Sequence, residues 1–190
     1  MKKKFAMSSI TAEQASVVLR KAELLCTPEQ VEIALDRLAA AVTVQLEDSN
    51  PLVLVVMNGA FIPGALLLSR LRFPLQVGYL HATRYRGGIR GGAIDWIAPP
   101  QPAVAGRTVL VVDDIFDEGD TLKAILEEVR RQGAVAVHSA VLVNKRHHRK
   151  VPGLRVDFVG LEVPDRYVFG CGMDYKEYWR QLPAIYAARD

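Results

Sequence analysis

The sequence predicts an α/β fold in which helices flank an open, mainly parallel sheet. Apolar runs rich in β-branched residues are typical of strands buried on both faces, and from residue 51 onward they alternate with helix-like segments. Such alternation indicates right-handed βαβ units, whose strands are parallel. The strand-like segments span 52–57, 77–85, 108–115 and 134–143, and the helix-like segments span 61–71 and 121–133.

The first fifty residues are predicted to form two helices. Thr11 is a candidate N-cap for the segment AEQASVVLRKAELL. Thr27 is followed by Pro28 at the first helical position and Gln30 at the third, which is a capping-box pattern. Apolar side chains recur along the second helix at the spacing of one helical face, so we expect this helix to serve packing. They are Val31, Leu35, Leu38 and Val42.

Neither an internal repeat nor a low-complexity linker divides the chain, so we expect a single domain over 1–190. It would comprise a helical lead-in at 1–50, an α/β core at 51–160 and a hood at 161–190. The hood alternates less clearly than the core and is rich in aromatic residues. We therefore expect it to be a small appendage on the α/β core.

Composition excludes several classes of protein. The net charge of +3 is accounted for by Lys2, Lys3 and Lys4, so it gives no support for a nucleic acid partner, which we do not expect. No apolar run approaches the ~20 residues that span a bilayer, and no apolar run of signal-peptide length follows the basic start. The two cysteines, Cys26 and Cys171, lie far apart and form no C-x-x-C pair. We expect a reduced, cytoplasmic protein without membrane contact.

Four acidic residues crowd the end of the predicted strand at 108–115, in the segment VLVVDDIFDEGDTL at 109–122. The pair Asp113 and Asp114 can accept hydrogen bonds from the vicinal hydroxyls of a ribose. The turn at Gly119 runs into a predicted helix, whose N–H groups and dipole favour a phosphate. The segment therefore matches a ribose 5-phosphate in outline, and the alternative is a solvated acidic turn capped by Asp120. A Walker-type motif is absent from the sequence, which argues against an ordinary NTPase.

The same segment closely resembles the signature of type I phosphoribosyltransferases, which bind 5-phosphoribosyl-1-pyrophosphate (PRPP). The C-terminal segment VGLEVPDRYVFGCGMDYKEYWRQLP, at 159–183, is similar to the closing segment of hypoxanthine-guanine phosphoribosyltransferases. The resemblance runs with gaps from about residue 20 to 187. It implies a type I phosphoribosyltransferase-like fold and purine salvage, with PRPP and a 6-oxopurine base as substrates and a hood over the base pocket. A homodimer or homotetramer is implied as well.

The resemblance also implies a role for each residue that matches the family's motifs. Asp117 matches the candidate general base, and Asp113 and Asp114 match the pair that holds the ribose hydroxyls. The 5′-phosphate cradle corresponds to Asp117, Glu118, Gly119, Asp120 and Thr121, with the Asp120 side chain expected to point outward. Pyrophosphate contacts are implied for Asn58, Gly59 and Arg180, and base contacts for Lys145, Tyr167, Val168 and Asp174. A Mg²⁺ ion is implied at Asp113, Asp114 and Asp174, because PRPP is polyanionic.

The chain departs from the family pattern at two loops. Asn58 precedes Gly59 where the family usually has a lysine, so one positive charge is missing, and by analogy we expect a cis Met57–Asn58 peptide. The mobile loop has Arg84 and Tyr85 where Ser-Tyr is usual, followed by RGGIRGG, which we interpret as a basic lid; the alternative is a disordered hairpin tip. These departures leave a non-catalytic regulator that binds PRPP or RNA as an alternative. A xanthine-preferring enzyme is a separate alternative within the same enzyme class.

The basic segment KRHHRK at 145–150 is interpreted as a solvated loop apart from Lys145. A His-His pair without a third ligand is weak support for a metal site. Cys171 is interpreted as a packing or backbone residue, since no activating histidine lies nearby in the sequence.

Overall fold

The computed structural model describes residues 10–84 and 94–189, with the side chains of Arg84 and Ile94 left aside. The helices are α1 (Ala12–Lys21), α2 (Pro28–Leu46), α3 (Phe61–Leu68) and α4 (Asp120–Arg131), with a 3-10 turn at Glu47–Ser49. The strands are β1 (Glu23–Cys26), β2 (Leu52–Met57), β3 (Gln76–Arg84), β4 (Ile94–Gln101), β5 (Thr108–Phe116), β6 (Ala136–Arg146), β7 (Phe158–Pro164), β8 (Val168–Phe169) and β9 (Ile185–Ala187).

The main sheet has six strands in the order β4-β3-β2-β5-β6-β7. Its pairings are parallel except that between β3 and β4, which is antiparallel. The central strands are apolar because both of their faces are covered: residues 52–56 and 109–112 are all buried. The predicted α/β fold with an open, mainly parallel sheet is confirmed.

The two N-terminal helices begin where the sequence predicts. Thr11 and Thr27 accept hydrogen bonds from the backbone N–H groups of Gln14 and Gln30, and each glutamine side chain accepts one in return from its threonine N–H. Both capping boxes are therefore closed. The predicted apolar stripe of α2 is buried, so this helix serves packing as expected.

The first helix is shorter than predicted. It ends at Lys21, and the residues Glu23–Cys26 form β1, which pairs antiparallel with β9 near the C-terminus. Together with β8 these strands make a separate three-stranded sheet, the hood sheet. The expectation of helix through residue 25 was wrong because local propensity does not reveal pairing with a strand about 160 residues away.

A second contact joins the N-terminal segment to the C-terminal one. Trp179 donates from its indole Nε1 to the carbonyl oxygen of Ala15 at 2.9 Å, at the buried position of α1. The hood therefore contains residues of both ends of the chain.

Parallel strands bring the site to one edge of the sheet. β2 ends at Met57, β5 at Phe116 and β6 at Arg146, so the loops that follow them lie side by side. None of the helices in the described part of the chain is long and apolar enough to cross a membrane.

Candidate active site

The acidic pair stands at the end of β5 against the loop that follows β2. Asp114 is only 9% exposed, and a Cβ atom added to Gly59 would overlap its carboxylate. One oxygen of each carboxylate accepts a backbone N–H: Asp113 Oδ1 from Asp114 at 2.9 Å and Asp114 Oδ1 from Ile115 at 2.8 Å. The peptide between Met57 and Asn58 is cis, as expected.

The pKa values of Asp113 and Asp114 are both raised above the ordinary value of an aspartate. Burial raises the pKa of Asp113 well above its ordinary value, and the neighbouring charge of Asp114 adds to this. Burial also raises the pKa of Asp114, although a hydrogen bond with Asp113 and the charge of Arg180 oppose the shift. Two adjacent acids with raised pKa values are stabilised in their ionised form by a cation or by hydroxyl donors.

Asp117 is held by two donors from the segment after β6. Lys145 donates to its Oδ2 at 2.6 Å, and His147 Nε2 lies 2.7 Å from its Oδ1. Partial burial opposes ionisation of this carboxyl group, but the hydrogen bonds from Lys145 and His147 outweigh it and lower the pKa of Asp117. Asp117 is therefore an ionised, oriented carboxylate.

A cavity of about 260 Å³ opens between β5, β6 and the hood. It is lined by six of the predicted site residues, which are the candidate general base and five predicted ribose or base contacts, together with Ile115 and Met173. The six are Asp114, Asp117, Lys145, Tyr167, Val168 and Asp174. This cavity, called here the base cavity, is too small for a large ligand and has an aromatic ring, an ammonium group and carboxylates on its walls. Its size and lining suit a polar heterocycle.

Tyr167 is the aromatic wall of the base cavity. Its ring is 51% exposed and meets Tyr175 edge to face, with the ring centroids 5.1 Å apart. Val168 beside it is buried in the hood sheet, where it pairs with Ala187. The hood therefore presents one open aromatic face on a fixed backbone.

A second cavity of about 540 Å³ lies beside the loop after β2. Asn58 and Arg180, both predicted to contact pyrophosphate, line it together with Met57, Phe61, Ile62 and Glu177. Arg180 also forms an ion pair of 2.7 Å with Asp174, which lines the base cavity. The two cavities therefore adjoin at the Asp174–Arg180 pair, and this second one is called the anion cavity below.

The predicted phosphate cradle forms the turn between β5 and α4. Gly119 adopts a left-handed conformation with φ of 95° and is the N-cap of α4, so it has no side chain to accept the N–H groups of the first turn. Asp120 is exposed and is the first residue of the helix, not its cap. The alternative of an acidic turn capped by Asp120 is therefore wrong, whereas the outward direction of the Asp120 side chain stays a prediction.

The segment 145–150 is only partly the solvated loop that the sequence suggested: Arg146, His148 and Arg149 are exposed, whereas His147 and Lys150 are partly buried. Besides Lys145, the His147 side chain is only 4% exposed. Lys150 lies 3.5 Å above the centre of the Phe116 ring and donates to the carbonyl oxygens of Phe116 and Asp117. These contacts fix the backbone that carries Asp117. The sequence contains one indication that Lys145 and His147 lie together. Positions 145 and 147 are two residues apart at a strand end, where alternate side chains face the same way.

The remaining predicted residues are distributed as follows. Asp113 is not among the residues that line either of the two cavities, although it adjoins Asp114. Arg84 ends β3, and its side chain lies outside the described residues, as do Tyr85 and the rest of the predicted basic lid. Cys171 is fully buried, and burial raises its pKa to about 12, which agrees with a packing role.

Comparison with known proteins agrees with this geometry. The family model described as the phosphoribosyl transferase domain matches residues 25–177. The chain is 32% identical to the hypoxanthine-guanine phosphoribosyltransferase of Bacillus subtilis over 86% of its own length and 91% of that protein. It is 32% identical to the hypoxanthine-guanine phosphoribosyltransferase of Aquifex aeolicus over 90% of its own length and 97% of that protein. It is 30% identical to a hypoxanthine-guanine-xanthine phosphoribosyltransferase of Tritrichomonas foetus over 85% and 88%.

Solved structures give the same result. A hypoxanthine phosphoribosyltransferase of Staphylococcus aureus superposes with a TM-score of 0.84 at 28% identity, covering 91% of this chain and 95% of that one. A hypoxanthine-guanine-xanthine phosphoribosyltransferase superposes with a TM-score of 0.80 at 27% identity, covering 88% and 97%.

The fold, the acidic strand end and the family match together define a pentosyltransferase, and the chain belongs to the phosphoribosyltransferase family. Within this family it is a hypoxanthine-guanine phosphoribosyltransferase-like enzyme, since it aligns with nearly the whole length of relatives of that name.

Proposed function

We propose that the chain transfers the 5-phosphoribosyl group of PRPP to hypoxanthine or guanine, giving IMP or GMP and pyrophosphate with inversion at C1′. The observation that carries this proposal is the pairing of Asp117 with Lys145 at 2.6 Å on the wall of the base cavity. It joins an acceptor for a ring proton and a donor for a 6-oxo group in one small site. An effector site would need no such acceptor, which argues against the regulator alternative.

The base is proposed to lie against Tyr167, whose half-exposed ring offers a stacking surface worth about 1–3 kcal/mol. Lys145 donates to the 6-oxo oxygen, because an ammonium group can donate hydrogen bonds but cannot accept them. An adenine amino group at the same place would meet a second donor. The site therefore favours 6-oxopurines over adenine.

The sugar and its phosphates are proposed to extend from the base cavity to the anion cavity. Asp113 and Asp114 accept the ribose hydroxyls, and the turn at 117–121 takes the 5′-phosphate at the N-terminus of α4. Asn58, Gly59 and Arg180 contact the pyrophosphate, with Arg180 supplying charge on the wall of the anion cavity. Asn58 brings no charge of its own.

A Mg²⁺ ion is proposed as the cofactor, and the donor set fits it. Asp113, Asp114 and Asp174 offer carboxylate oxygens, which magnesium prefers, and burial disfavours the charges of the first two unless a cation compensates them. Bound there together with PRPP oxygens, the ion would neutralise charge on the leaving pyrophosphate.

The proposed chemistry is a single displacement. A purine nitrogen forms a bond to C1′ as the bond from C1′ to the pyrophosphate oxygen breaks, and pyrophosphate leaves with that electron pair. Asp117 accepts the proton that the imidazole ring loses, near N7 of the purine. Its lowered pKa keeps the carboxylate ionised and ready to accept.

A xanthine-preferring activity is the second candidate. The relative from Tritrichomonas foetus, at 30% identity, is named for xanthine as well as for hypoxanthine and guanine. A homodimer or homotetramer stays a prediction from family resemblance, and a cytoplasmic location stays a prediction from the two cysteines.

Steady-state assays of nucleotide formation test the proposal. The protein is mixed with PRPP and Mg²⁺ and with each of hypoxanthine, guanine, xanthine and adenine, and nucleotides are separated by chromatography. IMP and GMP are expected. A highest kcat/KM with xanthine would favour the second candidate, and no nucleotide with any base would overturn the proposal.

A further inference from the structure

We infer that His147 is a positioning residue for Asp117: as a neutral imidazole it donates from Nε2 to Asp117 Oδ1 and holds the proposed general base in place during transfer. The inference rests on the proposed function and concerns a residue outside the motifs that identify the family. It is carried by the geometry around both nitrogen atoms of the ring.

The first step fixes the tautomer of His147. The backbone N–H of Arg149 donates to His147 Nδ1 at 3.1 Å, so Nδ1 acts as an acceptor and carries no hydrogen. A neutral imidazole then has its hydrogen on Nε2, which lies 2.7 Å from Asp117 Oδ1. The ring is therefore a donor to Asp117. An imidazolium would instead place an N–H at Nδ1 against the N–H of Arg149.

His147 is held more rigidly than Lys145. The His147 side chain is 4% exposed and is anchored at both nitrogens, so its ring has one available orientation. Lys145 also donates to Asp117, but it reaches that carboxylate at the end of a flexible stem. Under the proposed function Lys145 must also serve the 6-oxo group of the base. His147 is then the donor that keeps Asp117 oriented while Lys145 is engaged by the substrate.

Several charged groups surround the pair of Asp117 and His147. Lys145 and His147 contact Asp117 directly, and the charges of Arg149 and Lys150 lie within electrostatic reach of it. Asp165 approaches from the segment after β7, and ligand atoms of Asp117, His147 and Asp165 lie within 4.8 Å of one another.

Those three side chains do not need a metal ion to balance their charge. Arg149 binds both oxygens of Asp165, at 2.7 and 2.9 Å, and Lys145 is paired with Asp117. With both carboxylates already paired, a neutral His147 adds a hydrogen bond and no charge. Its effect on the reaction therefore passes through the orientation and proton affinity of Asp117.

Three variants test the inference. His147→Ala removes the donor, His147→Gln restores an N–H donor near the same place, and His148→Ala changes the exposed neighbour as a matched control. A hydrogen bond to a charged group changes a rate by roughly 10- to 100-fold, so His147→Ala is expected to lower kcat by that range. The KM for PRPP should change little, because His147 has no part in the proposed phosphate contacts.

The pH profile separates positioning from a merely structural role. Loss of the His147 donor raises the pKa of Asp117, so the acidic limb of kcat should move to higher pH in His147→Ala. His147→Gln should return the limb and most of kcat, and His148→Ala should match the wild type. In an Asp117→Asn background, His147→Ala should have no further effect on kcat, because the residue acts through Asp117.

The outcomes are distinguishable. A wild-type protein that forms no nucleotide overturns the proposed function. An active wild type whose kcat and pH profile survive His147→Ala overturns this inference alone, as does an additive loss in the Asp117→Asn background. A ¹³C NMR titration of the Asp117 carboxyl group reads the same pKa change without turnover. An unchanged titration of Asp117 in folded His147→Ala protein would also overturn the inference, as would a titration in His147→Gln that is shifted as far as in His147→Ala.

Discussion

Gly59 lies directly against the carboxylate of Asp114, so that a Cβ atom at position 59 would overlap it. The loop after β2 and the acidic end of β5 are thereby in contact, although the two residues are 55 positions apart in the chain. This contact joins the proposed pyrophosphate loop to the proposed ribose and metal site. It requires the absence of a side chain at position 59.

Gly59→Ala should therefore impair PRPP binding. The added methyl group must displace the Asp114 carboxylate or the loop, and a shift of about 1 Å in a positioned group can cost on the order of 100-fold in rate. We expect kcat/KM for PRPP to fall by at least about 10-fold, measured by initial rates over a range of PRPP concentrations. Gly106→Ala is the control for the rate, because nothing lies within 4 Å of its added Cβ and the left-handed φ of 73° at position 106 should cost only stability. Equal kcat/KM values for wild type and Gly59→Ala would contradict the prediction.

Asp117→Asn should lower kcat with little effect on the KM for PRPP. An amide of the same shape cannot accept the purine proton as a base, and general base catalysis contributes about 10²–10⁴-fold. Single-turnover measurement of nucleotide formation would separate this loss from slow product release. Glu127→Gln, an exposed position of α4, serves as the control. Retention of the wild-type rate by Asp117→Asn would remove its role as base.

Lys145→Met should weaken use of hypoxanthine in particular. The variant keeps an apolar stem of similar length but loses the donor to the 6-oxo group and one donor to Asp117. A kcat/KM for hypoxanthine reduced by about 10-fold or more is expected from loss of a charged hydrogen bond, with Lys21→Met at an exposed position unchanged. If adenine were the best substrate of the wild-type enzyme, the role of Lys145 would be wrong.

Both cysteines should resist alkylation in the folded protein. Cys171 is fully buried with a pKa raised to about 12, and burial also raises the pKa of Cys26, so neither supplies thiolate at mildly alkaline pH. Mass spectrometry after treatment with iodoacetamide should find no label on the native protein and label on both cysteines in denaturant. Rapid labelling of native Cys171 would show that the hood opens readily.

The centre of the sheet should dominate stability. Leu54 on β2 has no exposed surface, so Leu54→Ala should lower the free energy of unfolding by about 2–5 kcal/mol. Val44 is 84% exposed on α2, and Val44→Ala should change the free energy of unfolding by less than about 0.5 kcal/mol. Chemical denaturation followed by circular dichroism measures both. Equal losses in the two variants would contradict the assignment of the core.

The sequence predicted what depends on local pattern. The apolar runs at β2, β5 and β6, the N-cap Thr11 of α1 and the capping box of α2 are encoded by neighbouring residues, and the structure contains all of them. The resemblance then directed attention to Asp114, Asp117, Lys145, Tyr167, Val168 and Asp174, which line one cavity.

What the sequence did not predict depends on distant partners. β1 forms because Glu23–Cys26 pairs with the end of the chain, and no local propensity indicates that pairing. His147 and Lys150 looked like part of a solvated basic run, yet both are held at Asp117 because β5 and β6 lie side by side. The contact of Gly59 with Asp114 likewise appears only when β2 and β5 are paired.

The most direct test of the account is simultaneous measurement of nucleotide and pyrophosphate from the purified protein with PRPP, Mg²⁺ and hypoxanthine. The account predicts IMP and pyrophosphate in equal amounts, formation that stops when Mg²⁺ is chelated, and a much lower rate for Asp117→Asn. Release of pyrophosphate without IMP, or no product from any 6-oxopurine, would contradict it.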